Sequence, residues 1–241
     1  MDLLFAALAM GTSALIGGAA GFAASLLTTP ALLLLGYDVP FVVTVNLAAT
    51  LVSRIVVVCQ SWQVIEPRRI GLLVAGSAPG AVLGALTVGA IPVHTLRIFA
   101  GIVVTLLGLL LLLPAAARST TGPSSAGHVA TGLASGYLAT SVSLNGPPVA
   151  ALLSAANLPV RAFIANLACY FISTNLISLA VLAMTGGIPH HGLLPALPVL
   201  LVAAIAGNQL GTAASARVPQ KAFKYVVAGL VVVCGLVTAV S

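Results

Sequence analysis

Long apolar segments follow one another along almost the whole chain, separated by short stretches that contain Pro, Gly and nearly all of the charge. About 20 apolar residues are enough to cross the hydrocarbon core of a bilayer as an α-helix. Because 60% of the residues are hydrophobic and only 5% are charged, no soluble domain of this size is expected. The chain is therefore predicted to be an all-α polytopic membrane protein, with full spans near residues 40–60, 70–91, 92–113, 159–184, 192–216 and 219–240.

Two further apolar segments, near residues 3–37 and 128–157, are interrupted by turn-forming residues at Leu27–Pro30 and Asn145–Pro148. Proline is well tolerated in the first turn of a helix, and a Thr or Asn before it can cap the free amides. Each interruption is therefore predicted to start a half-helix. At 1.5 Å per residue, a half-helix over Val149–Asn157 would be about 13 Å long and would end near the middle of the bilayer.

The chain is predicted to consist of two related repeats, at residues 1–114 and 128–241, joined by a polar linker at 115–127. Each repeat would contain a broken or re-entrant first element and three spanning helices. The pair Gly80 and Gly84 recurs as Gly207 and Gly211, with an offset of 127 (207 minus 80). Small residues at this spacing let helices approach closely, so these four glycines are interpreted as packing positions.

The distribution of Lys and Arg discriminates between two membrane topologies. If the broken elements cross the membrane, the repeats are parallel and the nine basic residues divide five to four. If the broken elements instead enter and return, the second repeat is inverted and the division is eight to one, which the positive-inside rule favours. The face with eight then holds Arg54, Arg68, Arg69, Arg118, Arg161, Arg217, Lys221 and Lys224, with Arg97 opposite. The apolar run Leu3–Leu27 is long enough to span outright, which keeps the parallel arrangement open.

The two interruptions also define the candidate binding site. A helix N-terminus offers unpaired amides and the positive end of the helix dipole, both of which attract anions. Arg54 is interpreted either as a charge that attracts the anion or as an anchor at a helix end. Alternatively, the polar groups only satisfy backbone freed by the breaks. Besides Arg54, the candidate substrate-binding residues are Thr28, Thr29, Pro30, Asn46, Ser141, Ser143, Asn145, Gly146, Pro147 and Asn166.

Other classes of function find little support in the residues present. The four histidines and three cysteines form no cluster with metal-ligand or catalytic spacing, so no metal, cofactor or enzymatic activity is expected. The acidic residues Asp2, Asp38 and Glu66 are near predicted helix ends, so a buried carboxylate that relays protons is not expected. The basic residues form no basic face of the kind that binds nucleic acid.

The sequence resembles the sulfite exporter TauE/SafE family of membrane permeases. The resemblance covers almost the whole chain, from Gly17–Phe22 and Pro30–Leu32 in the first half to Asn145–Val149 in the second. It implies a multi-pass transporter of the cytoplasmic membrane for sulfite, organosulfonates or related sulfur-containing or carboxylate anions, often in the outward direction. In the first half, Ala23–Thr29 replaces the glycine-rich run typical of the family.

The expected function is thus export of a small anion. Export of a monovalent anion from a negative interior gains roughly 2.3 kcal/mol per 100 mV, so no coupled ion is required. The alternatives are an anion channel and a structural or accessory membrane subunit that transports nothing. The expected partners are the anion and membrane lipid, and a homo-oligomer is left open.

Overall fold

A computed structural model of the chain describes residues 2–87, 124–156, 158–189 and 193–215, with isolated positions between 95 and 109 and between 219 and 236. The described part is helical and contains no strand. Five of its helices are long and apolar enough to cross a membrane, namely α1, α3, α4, α7 and α8. The helices are α1 (Asp2–Ala20), α2 (Ala24–Leu34), α3 (Val39–Ser61), α4 (Pro67–Thr87), α5 (Ser125–Val142), α6 (Gly146–Ala155), α7 (Val160–Met184) and α8 (Leu193–Ser215), with a 3-10 turn at Trp62–Val64.

The predicted spans near 40–60, 70–91, 159–184 and 192–216 are confirmed as α3, α4, α7 and α8. Those near 92–113 and 219–240 lie largely outside the described residues, and the positions described within them are helical except Pro219. Helix α5 begins at Ser125, where the Oγ of Ser124 accepts a hydrogen bond from the Gly127 amide at 3.1 Å. The last residues of the predicted linker are therefore helical.

The first interruption is not where the sequence predicted it. Helix α2 begins at Ala24 and continues through Thr28, Thr29 and Pro30, so the prediction of a half-helix starting at Pro30 is wrong. The break lies at Gly21–Ala23, where Gly21 has a φ of 92°. This left-handed conformation costs glycine little and other residues much more, so Gly21 determines where α1 ends.

The second interruption is confirmed at the predicted place. Helix α5 ends at Val142, Ser143 has a φ of 59°, and α6 begins at Gly146 with prolines in its first turn. Asn145 is the N-cap residue, but its side chain does not cap the amides of α6 as the sequence predicted. That side chain instead makes a buried contact with another helix, described below.

The four glycines of the recurring pairs lie where helices come closest together. A Cβ on Gly80 or Gly84 would overlap the carbonyl oxygens of Leu133 or Tyr137 in α5. A Cβ on Gly207 or Gly211 would overlap those of Gly11 or Leu15 in α1. The predicted packing role is confirmed. Because residue numbers rise together along both pairs, α4 is parallel to α5 and α1 is parallel to α8.

One end of the bundle, which we call the arginine end, collects the chain segment Ser61–Arg69 and the N-terminus of α7. The Arg161 Nη2 donates to the Gln60 carbonyl at 3.1 Å, and the Asn166 Nδ2 donates to the Val64 carbonyl at 3.2 Å. Arg68, Arg69 and Arg161 thus share one end, as the charge distribution predicted. Arg97, Arg118, Arg217, Lys221 and Lys224 lie outside the described residues.

Arg54 departs from that prediction. Its side chain is only 1% exposed and lies inside the bundle instead of at the arginine end. Arg54 belongs to the middle of a helix whose apolar segment runs to Val64, two turns or more from the end. The interpretation of Arg54 as an anchor at a helix end is therefore wrong.

The pairs α1–α2 and α5–α6 are helical hairpins that enter the bundle from opposite ends. Helix α1 runs toward the arginine end in parallel with α8, whereas α5 runs away from it in parallel with α4. The breaks at the two tips meet, because a Cβ on Gly146 would lie 3.0 Å from the Cβ of Phe22. Buried apolar side chains, including Phe22, Leu144 and Phe171, form the core around this meeting point.

Candidate functional site

A small polar cavity lies beside the first turn of α2, enclosed by α1, α2, α3 and α8. Its volume is about 10 Å³, which is roughly the space of one water molecule. The described residues that line it include no acidic side chain. Its polar lining consists of Thr28, Asn46, Thr50, Ser53, Arg54 and Asn208.

Arg54 is the charged group of this cavity. Its Nη2 donates to the Gly17 carbonyl at 3.0 Å, and its guanidinium carbon lies 5.9 Å from the centre of the Phe171 ring. Its Nε and Nη1 are buried and have no hydrogen-bond partner. The ion pair found in the described part of the chain joins Arg69 to Glu66, so no carboxylate there neutralises Arg54.

A buried, unpaired cation is costly, because leaving water costs several kcal/mol that only a partner can offset. Within a membrane, ionisable residues that face the interior of a bundle commonly mark substrate or ion pathways. Arg54 lines a cavity, where a mobile anion would be the missing partner of its unpaired donors. This arrangement suits an oxyanion, since a guanidinium presents several N–H groups in a fixed plane.

The neighbouring amides and hydroxyls tie the walls of the cavity together. The Asn208 Nδ2 donates to the Ser53 carbonyl at 3.0 Å, which joins α8 to α3. The Asn46 Nδ2 donates to the Thr29 Oγ1 at 3.0 Å, which joins α3 to α2. The structure therefore brings four of the predicted residues together, namely Thr28, Thr29, Asn46 and Arg54. Pro30 lies one residue beyond this group in α2.

The second break has a different polar centre, which we call the amide network, formed by Ser135, Asn145, Tyr170 and Asn175. The Asn145 Nδ2 donates to the Asn175 Oδ1 at 2.7 Å, and the Asn175 Nδ2 donates to the Leu47 carbonyl at 3.2 Å. The Ser135 Oγ donates to the Asn145 carbonyl and accepts from the Tyr170 hydroxyl at 2.7 Å. None of these side chains is among the buried groups without a partner.

The remaining predicted residues of the second half are buried near that break or lie farther away. Gly146 and Pro147 form the buried first turn of α6, and the Ser141 Oγ donates to the Tyr137 carbonyl at 2.7 Å. Ser143, also buried, occupies the left-handed position of the break.

Asn166 lies at the arginine end, where its Oδ1 accepts from the Glu66 amide at 2.9 Å. None of these five residues lines the cavity of Arg54.

The sequence reasoning missed two residues that the structure places at polar centres, Asn175 and Asn208. Each is a buried amide in the middle of an apolar helix that is long enough to span the membrane. A strongly polar residue at such depth is itself a signal of function or of specific packing. Asn208 also directly follows Gly207, so it was already next to a recognised motif.

Spanning helices, two broken hairpins whose tips meet and a buried cation beside a cavity are features typical of multi-pass membrane proteins of the transporter class. The family model for "Sulfite exporter TauE/SafE" matches residues 3–238, nearly the whole chain. The chain belongs to this family of membrane permeases, which confirms the resemblance seen in the sequence. Comparison with curated proteins and with solved structures gives no match.

Proposed function

We propose that this protein exports a small anion across the cytoplasmic membrane, with Arg54 as the positive charge that binds it. The substrate class is sulfite, an organosulfonate or a related sulfur-containing or carboxylate anion. The observation that carries this proposal is that Arg54, which lines the cavity, has two buried nitrogens without a hydrogen-bond partner. Family membership supports the substrate class.

The chemistry of the lining fits an oxyanion. The free Nε and Nη1 of Arg54 supply charge-assisted donors, which form stronger hydrogen bonds than neutral groups do. Asn46, Thr50 and Asn208 add neutral polar groups around the same space. Because the cavity holds about one water molecule, the helices around it must separate slightly to admit an anion the size of sulfite.

The membrane potential is the proposed driving force. No carboxylate is among the described residues that line the cavity, Asp38 is the N-cap residue of α3, and Glu66 pairs with Arg69 at 3.2 Å. Proton coupling through a buried acid therefore has no support. A negative interior favours outward movement of a monovalent anion by roughly 2.3 kcal/mol per 100 mV.

An inverted repeat is the proposed frame for this transport. Helices α1 to α4 would correspond in order to α5 to α8, and members of each pair run in opposite directions relative to the arginine end. Packing supports the correspondence, since α1 contacts α8 just as α5 contacts α4. In transporters with inverted repeats, substrate sites lie near the midplane, where broken helices meet.

Transport by the purified protein in lipid vesicles tests the proposal. Sulfite flux is measured at fixed membrane potential with a varied proton gradient, and then at fixed pH with a varied potential. We expect a saturable flux that follows the potential. A flux that depends on the proton gradient alone would contradict potential-driven export, and a flux that never saturates would indicate a channel instead.

A further inference from the structure

A second, wider space lies at the arginine end between α3, α7 and α8, and we call it the vestibule. Its volume is about 600 Å³, compared with about 10 Å³ for the cavity of Arg54. Ser61, Arg161, Gln209 and Thr212 contribute to its polar lining, which contains no acidic residue among those described. The vestibule is therefore large enough for a hydrated anion, whereas the cavity is not.

The vestibule combines one positive charge with one donor that has no partner. The Gln209 Nε2 is buried and has no partner. Arg161 is exposed, and its Nε and Nη2 donate to the Ser61 Oγ and the Gln60 carbonyl at 3.4 and 3.1 Å. The N-terminus of α7, which has no side-chain cap, borders the same space and adds the positive end of a helix dipole. A positive charge, an unused amide donor and a helix N-terminus around one space suit an oxyanion, which accepts hydrogen bonds.

The vestibule and the cavity are separated by about one helical turn. On α8, Asn208 lines the cavity and the next residue, Gln209, lines the vestibule. On α3, Arg54 lines the cavity, and Val57, three positions farther along, lines the vestibule, which corresponds to a rise of about 4.5 Å. Val57 is buried and borders the vestibule, so an anion that moved between the two spaces along α3 would meet it as an apolar barrier.

We infer that the vestibule is a second anion site, which loads the transported oxyanion from the arginine end before it passes Val57 to reach Arg54. This inference rests on the proposed function and adds an entry route to it. Arg161 attracts the anion, and the Gln209 amide orients one of its oxygens toward the barrier. The conformation described here is then the one open toward the arginine end.

A single cysteine in the vestibule tests the inference in the full-length protein. Ala213→Cys is introduced after Cys59, Cys169 and Cys234 are replaced by Ala, because Ala213 is exposed and lines the vestibule. The matched control is Ala214→Cys, because Ala214 is also exposed but does not line the vestibule. The reagent is a sulfonated, membrane-impermeant maleimide, whose thioether product sulfite does not cleave. Unreacted reagent is washed away before transport is measured.

Two measurements are made on each variant. Methanesulfonate is the protecting anion, because sulfite itself would consume the maleimide. At ten times its apparent Kd, methanesulfonate should slow labelling of Ala213→Cys about tenfold and leave Ala214→Cys unchanged. Completed labelling at position 213 should remove most of the sulfite flux, whereas labelling at position 214 should not.

The outcomes separate this inference from the proposed function. If the unlabelled protein carries sulfite but methanesulfonate does not protect position 213, or if labelling there leaves the flux intact, the vestibule is not a loading site and the proposed function stands. If methanesulfonate protects position 213 while the unlabelled protein carries no sulfite, the anion site is supported and transport of sulfite is rejected.

Discussion

The two broken hairpins hold polar centres of opposite kinds. At the first break, Arg54 of α3 donates to the Gly17 carbonyl and keeps two nitrogens without a partner. At the second break, Asn175 of α7 accepts from Asn145 and donates to the Leu47 carbonyl. The polar centre at the first break thus has hydrogen-bond donors without partners. At the second break, the donors and acceptors of the two asparagines are paired.

The difference follows from the chemistry of the side chains. An amide has both donors and acceptors, so two asparagines can satisfy each other inside a protein. A guanidinium has only donors and keeps its charge, so neighbouring carbonyl groups cannot neutralise it. The comparison teaches that a polar break alone does not define an anion site, and that the proposed site at Arg54 differs from the amide network by its unused donors.

The strongest test of this comparison is Arg54→Gln. Loss of the charge-assisted hydrogen bonds should remove about 3 kcal/mol of anion binding, or roughly 100-fold in sulfite flux at low concentration. Arg54→Lys should recover part of the flux, because it restores the charge without the planar donors. Arg69→Gln is the control, since Arg69 forms a partly exposed ion pair with Glu66 away from the cavity.

Stability measurements on the same variants distinguish a binding role from a structural one. Since Arg54 is buried without a counter-ion, Arg54→Gln should leave the free energy of unfolding in detergent unchanged or raise it. If Arg54→Gln were strongly destabilised, or if it transported sulfite as well as Arg69→Gln, Arg54 would not have a binding role. The two breaks would then no longer differ in function.

Gly80→Val and Gly207→Val test whether the two hairpins are held by equivalent packing. Either added side chain would overlap backbone of the adjacent helix, so each should cost about 1–3 kcal/mol in the free energy of unfolding. Gly71→Val is the matched control, because Gly71 is exposed and nothing lies within 4 Å of an added Cβ. Denaturant titration in detergent measures all three, and a much smaller loss at one of the two packed sites would show that the hairpins are not equivalent.

Asn145→Ala and Asn175→Ala should reduce stability with little effect on the affinity for the anion. Each removes a buried hydrogen bond and should cost about 1–2 kcal/mol. The double variant should lose less than the sum of the two, because the residues share one bond. The measurements are unfolding free energies and the KM for sulfite. A KM that rises tenfold in either variant would make the amide network part of the binding site.

Thr29→Val should have the smallest effect. It removes the acceptor of the Asn46 side chain, which joins α2 to α3, and should cost about 0.6 kcal/mol in stability. Sulfite flux should remain within a few-fold of the original, with Thr12→Val as the control because Thr12 bonds only within α1. If Thr29→Val lowered flux as much as Arg54→Gln, the anion site would extend along α2.

The sequence predicted the elements governed by local rules. Hydropathy located four described spans, the Asn–Gly–Pro–Pro motif located the second break, and glycine spacing identified the closest helix contacts. The first break was misplaced because Pro30 is a visible signal, whereas the conformation of Gly21 depends on the packing around it.

Partnerships across the fold were not predictable from one sequence. The bond from Asn175 reaches Leu47, which is 128 positions away, and that from Asn208 reaches Ser53, 155 positions away. The sequence left two interpretations of Arg54 because its depth in the bundle depends on these long-range contacts. Asn166 was grouped with the breaks as a candidate substrate-binding residue, yet its bonds to Val64 and Glu66 place it at the arginine end.

The depth of Arg54 also sets a condition on how the protein is synthesised. Helix α3 leaves the ribosome long before α8, so it must enter the bilayer before Asn208 and the rest of that cavity wall exist. An arginine near the centre of an inserting helix costs about 2.5–3.5 kcal/mol at the translocon. The span has a mean hydropathy of 2.1, and its apolar residues must outweigh that cost by themselves. Because the charge of Arg54 lies on the inner side of α3, selection for efficient insertion acts on the apolar character of the side of α3 that faces lipid.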